Sequence, residues 1–159
     1  MSTSIEIATA AYAMAAAIDQ SIPAPTKMRL QAWAALFEGQ DLGVTEAVQA
    51  VKDYYRQPNR FPIKPGDILA ITRTMPVTSS PERVEAFIDR WSVHPYSRTI
   101  QDLTGIEWSP PDPPKGFDVD DAEKLREFHL AAFRKWIARN HTRMVALALS
   151  NGEPLELPL

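Results

Sequence analysis

Arg134, Lys135, Arg139 and Arg143 supply four positive charges, and no acidic residue interrupts positions 128–143. Guanidinium and ammonium groups clustered in this way can hold the phosphates of nucleic acid, with an affinity that falls as salt rises. The competing reading is a solvated helix face whose cations complement the negative end of the helix macrodipole. The net charge is −3 with both signs interspersed, so this is not a basic nucleic-acid coat protein. The sequence favours the solvated face.

Nothing else in the sequence assembles a reaction centre. The three histidines are His94, His129 and His141, and none pairs with another at the i, i+4 spacing of a helical metal site. His129 lies between Phe128 and Leu130 in a helical pattern and is expected to pack or to sit at the surface. His94 precedes Pro95, where a helix ends. Asp118, Asp120, Asp121 and Glu123 lack the central Gly and the closing bidentate Glu of a calcium loop. They fit the acidic first turn of a helix. The absence of Cys removes disulfides, thiol nucleophiles and Cys-based zinc sites. There is no Gly-rich phosphate loop and no serine in a nucleophile-elbow context. The expectation is a protein that is not an enzyme and uses no cofactor and no metal.

The elements that carry these residues follow from periodicity and from proline. With 45% hydrophobic residues the chain can build a core, and 14 prolines against 6 glycines divide it sharply. Helices are predicted over 5–20 (stripe Ile7, Ala11, Met14, Ile18), 26–38 (Leu30, Trp33, Phe37) and 44–56 (Val44, Val48, Val51, Tyr55). A fourth opens at Pro65 with Ile68, Ile71 and Met75 facing inward. A fifth follows Ser80-Pro81 with Val84, Phe87, Ile88 and Trp91 on one face. Thr99–Thr104 reads as a short turn of helix. The last helix starts near Asp118 and reaches at least Asn140; Met144–Leu149 either continues it or forms a separate short helix, and Asn151-Gly152 terminates it.

Residues 109–116 read as a stiff, extended, Pro-rich linker. No run alternates with period two, so the fold class is all-α, with about six helices. It comprises a compact N-terminal bundle over 1–76 and a helical C-terminal region over 79–159, with the boundary at Pro76–Ser80. Trp33, Trp91 and Trp136 are expected in the core. Trp108, just before the linker, is expected to anchor it, the alternative being an exposed partner contact. Helices two and three do not make a clear helix-turn-helix, since the second carries only Lys52 and Arg56 as cations. The apolar stretch 7–18 is too short to span a bilayer and no Lys or Arg precedes it as in a signal peptide, so no membrane partner is expected. The tail Glu153–Leu159 reads as frayed or docked.

One stretch, residues 28–73, resembles a known family. A helix holding Trp33 and Leu36 is followed by Glu46-Ala47-Val48, then Ala50-Val51 and the pair Tyr54-Tyr55. Next comes Arg60-Phe61-Pro62-Ile63-Lys64-Pro65, with Asp67-Ile68 opening a helix. This order is similar to phage replicative-helicase loaders of the loader-and-inhibitor type, and to small replication proteins of actinobacterial phages. The shared frame covers under a third of the chain, and its residues set a core and a rigid turn. The resemblance implies a compact helical N-terminal domain, no active site, and a C-terminal segment that engages a hexameric helicase. It also implies a cytoplasmic location in a bacterial host. The sequence departs from the family in its C-terminal half, which looks foldable where the family's is short and poorly ordered. The functional expectation is a phage or prophage replication accessory protein that binds a bacterial or phage replicative helicase. The alternatives are a DNA-binding protein using the basic last helix and an inhibitor directed at a host protein. Oligomeric state is not legible.

Overall fold

The computed structural model describes residues 2–58 and 61–152, so Arg60 of the motif and the tail from Glu153 lie outside the described residues. Among them the fold is all-α, with seven α-helices and no strand. These are α1 (Ser4–Ile18), α2 (Lys27–Phe37), α3 (Val44–Arg56), α4 (Pro65–Thr72), α5 (Pro81–Trp91), α6 (Thr99–Thr104) and α7 (Ala122–Gly152). The chain forms two compact units, Met1–Ala86 and Phe87–Leu159, and the division falls inside α5.

Side chains fix most of the helix starts by satisfying N–H groups that the helix itself leaves free. At α1 the Thr3 hydroxyl accepts from Glu6 N–H at 3.3 Å, and the Glu6 carboxylate accepts from Thr3 N–H at 2.7 Å. Thr26 accepts from Arg29 N–H at 3.2 Å to open α2. Pro65 stands in the first turn of α4, where its missing N–H costs nothing, and Asp67 accepts from Lys64 N–H at 2.8 Å. Asp121 accepts from Lys124 N–H at 3.1 Å to open α7. Gly105, at φ 73°, closes α6 in the left-handed conformation that glycine adopts without strain.

In the first unit α1 packs against both α2 and α3, and α4 closes on α3 and α2. The buried stripe of α1 is Ile7, Ala8, Ala11, Tyr12 and Ala15. Alanine at three of these five positions lets the helix axes approach closely. Facing them are Ala34 and Phe37 of α2, Ala47, Ala50 and Val51 of α3, and Ile68 of α4. Ile18, expected on this stripe, is instead 45% exposed. The helix stops there, and Ile22 from the following turn packs on the core in its place. Trp33 is half-buried rather than central. Its ring meets Tyr12 edge-on at 4.9 Å and Phe37 at 6.4 Å.

The Pro76–Ser80 segment is not a boundary between the units. It lies within the first, because its hydroxyls are used there. Ser79 Oγ donates to Glu46 Oε1 at 2.9 Å, and Ser80 Oγ caps α5 by accepting from Arg83 N–H at 3.1 Å. A polar stretch bracketed by prolines looks like a linker in sequence, but here it supplies partners to a buried carboxylate.

In the second unit α6 packs on α7, with Ile100, Phe133 and Ile137 buried. The Pro-rich stretch 109–116 is extended, as expected, but it is pinned along α7. The Trp108 ring lies tilted against Phe133 and Trp136, with centroids at 5.1 and 5.3 Å. His129 bonds to Pro111 O at 3.0 Å, and Phe117 meets Phe128 at 5.5 Å. As the residue number rises along the strap, its partner's number falls along the helix, so the strap runs antiparallel to α7. The last helix begins at Ala122, four residues later than the sequence suggests, since Asp118 to Asp121 form a turn before it. It then runs unbroken to Gly152.

Candidate functional site

The basic residues of the last helix are placed by the length of α7. Arg134, Lys135, Arg139 and Arg143 are all exposed, and none is paired with a described acidic group. At about 100° per residue, Lys135, Arg139 and Arg143 follow one another at i, i+4 and i+8 and share one face. Lys124 falls on the same face three turns earlier, with its ammonium 3.2 Å from Asp121 Oδ2. Arg134 points about 100° away from Lys135, toward the side that carries Glu123 and Glu127. The row is therefore three free cations and one paired one, and the four residues singled out in sequence do not form one patch.

The position of these cations also changes what explains them. If α7 ended near Asn140 they would neutralise its negative end. The helix continues to Gly152, and its last turn holds no basic residue. The macrodipole acts within the last turn only, so it does not account for Lys135, Arg139 or Arg143.

Trp108 acts as an anchor. Its Nε1–H donates to Pro95 O at 2.8 Å while its ring lies against Phe133 and Trp136. His129 is 9% exposed and bonded at both ring nitrogens. Nε2 faces the Pro111 carbonyl, which can only accept, so Nε2 carries a proton, and Nδ1 lies 2.9 Å from Tyr96 Oη. The histidine is thus a tether for the strap.

The motif residues of 28–73 brace one turn. Tyr54 Oη donates to Phe61 O at 2.9 Å. Tyr55 Oη donates to Asp19 Oδ2 at 2.8 Å and accepts from Ile63 N–H at 3.1 Å, joining the end of α1 to the chain entering α4. Burial, aided by the Asp19 carboxylate, pushes the Tyr55 phenol up to about 12 against the opposing bond from Ile63. Hydroxyls of Ser21 and Tyr55 hold the Asp19 carboxyl below its ordinary value. Pro65, Asp67 and Ile68 start α4, with Ile68 fully buried. Phe61 and Pro62 depart from a purely structural role: both are exposed, Phe61 by 72%.

Two features of the first unit have no distinct mark in the sequence. Glu46 is 1% exposed, inside a nest formed by Gly43 N–H at 2.9 Å, Ser79 and Ser80. Burial would push its carboxyl up, but bonds from Ser80, Gly43 and Ser79 outweigh it and hold the group below the ordinary value. The second feature is an apolar groove of about 720 Å³ between the start of α1 and α2, lined by Ile5, Pro25, Leu30, Ala34 and Ala35, with Lys27, Gln31 and Glu38 among its polar residues. Alanines in a helix read as propensity rather than as the floor of a groove, which is why the pattern did not reveal it.

Among the described residues no group of three or more His, Asp or Glu side chains is placed to hold a metal ion. Asp118 and Asp121 accept from the backbone N–H groups of Asp120 and Lys124 instead. No described helix is long and apolar enough to cross a membrane. Comparison with family models, with curated proteins and with solved structures gives no match to this chain.

Proposed function

We propose that this is a non-catalytic replication accessory protein of phage type, which docks on a replicative helicase through its first unit and not through the C-terminal segment that the resemblance implies. The observation that carries this reading is the apolar groove between α1 and α2. An open groove with an apolar floor and a polar rim suits the side-chain row of a partner helix. Met28, Leu36 and Phe61, all within the stretch that resembles the loader family, add exposed large apolar side chains to the same unit.

The test is direct binding of the purified full-length protein to a purified hexameric bacterial replicative helicase, measured by calorimetry and size exclusion. A complex weakened at least about tenfold by Leu30→Asp with Ala35→Asp, roughly 1.4 kcal/mol, is the expected result. A helicase that does not bind, or binds both forms equally, overturns the proposal. Helicase unwinding in the presence of the wild-type protein then separates loading from inhibition.

A further inference from the structure

The geometry points to a second, independent binding surface: the face of α7 bearing Lys135, Arg139 and Arg143 binds the sugar-phosphate backbone of duplex DNA. The inference does not rest on the helicase reading, because it concerns a different unit and a different chemistry.

Three observations carry it. The first is the row itself. Lys135, Arg139 and Arg143 are exposed and unpaired with any described group, and they span about 12 Å along one straight face at 1.5 Å rise per residue. Lys124 extends the line to about 28 Å. The second is what the face lacks. From residue 128 to the end of α7 there is no carboxylate: Glu123 and Glu127, the only ones in the helix, stand at least about 12 Å along the axis before Lys135, and the neighbouring Ala132, Thr142 and Ala146 are short enough to let a phosphate chain come close. The third is the cost of the arrangement. Like charges at i, i+4 weaken a helix, and these stand too far from Gly152 for the macrodipole to compensate. A helix face shaped by stability alone would interleave carboxylates here.

The same observations choose among anionic partners. A membrane-surface helix needs large apolar residues beside its cations, and here Phe133, Ile137 and Met144 are buried in the protein. Single-stranded nucleic acid is held by stacking on exposed aromatics. The aromatic on this face, Phe128, is half-buried against Phe117. Duplex backbone asks only for regularly spaced cations. The contact is therefore to phosphates, without base reading.

The experiment is fluorescence anisotropy of a labelled mixed-sequence duplex titrated with the intact chain. Parallel titrations use a single strand of the same length and vesicles containing phosphatidylserine. Duplex binding is expected at about 50 mM salt and should weaken about 40-fold by about 200 mM, as three released counterions require. Lys135→Glu with Arg139→Glu and Arg143→Glu should abolish it, with the circular-dichroism melt unchanged. Arg134→Glu, on the neighbouring face, should leave it within about twofold. Absence of duplex binding at low salt, equal loss with Arg134→Glu, or tighter binding to the single strand or the vesicles would each overturn the inference.

Discussion

Glu46 combines burial with a charge, and its neighbours explain how it stays ionised. Each carboxylate oxygen has a donor, and removing the side chain strands the buried Gly43 N–H, while Ser79, which is exposed, can turn its hydroxyl to water. Glu46→Ala is expected to lower unfolding free energy by about 2 kcal/mol, read from the denaturant midpoint. The sign of the pH dependence follows from a folded-state value held below the ordinary 4.5. The contribution is complete above that ordinary value and is lost as pH falls through the lower, folded one. Wild type should therefore lose stability on acidification below about pH 4.5, and Glu46→Ala should show a shallower loss over the same window. Tyr55 offers a neutral counterpart. Tyr55→Phe keeps the ring but leaves Ile63 N–H without its acceptor, and is expected to cost about 1–2 kcal/mol. Equal stability of the two proteins in denaturant would show that water replaces the hydroxyl.

At the scale of elements, legibility depended on how locally each feature is determined. The third helix and the short α6 were readable to the residue, because proline, glycine and an apolar stripe all agree on their limits. The continuation of α7 past Asn140 was left open, since its last turns are alanine and leucine without a face, and its start was read too early, since four acidic residues mimic a first turn. The Pro-rich strap was legible as extended chain anchored at Trp108, but its partners on α7 were not. Its fixation depends on His129, Phe128 and Phe133, which are distant in sequence. His129→Leu removes both tethering bonds and should hasten tryptic cleavage at Lys115, with α7 helicity retained in the far-ultraviolet spectrum. Trp33 is the corresponding link between α1 and α2. Being half-buried, it should contribute less than a central aromatic, so Trp33→Ala is expected to cost about 2–3 kcal/mol, measured as the shift in denaturant midpoint.

At the scale of the whole molecule, the charge distribution is the feature that composition conceals. The chain has net charge −3, yet residues 128–152 hold four cations and no carboxylate. Averaged charge argued against nucleic acid, and only the continuous run of α7 to Gly152 places Lys135, Arg139 and Arg143 in mid-helix, where neither a salt-bridge partner nor the helix end neutralises them. A protein whose cations were dispersed among acids would pass a polyanionic matrix at neutral pH, repelled by its own net charge. One that concentrates them in a row should be held, because the local potential within a Debye length of about 10 Å outweighs the distant acids. The intact chain is thus expected to be retained on immobilised heparin at about 50 mM salt and pH 7 despite its acidic balance. Arg134→Glu should elute close to wild type, although it changes net charge by the same amount as Arg139→Glu, which should elute well before it. Coelution of these two variants would mean that net charge, and not the arrangement on α7, governs what this molecule binds.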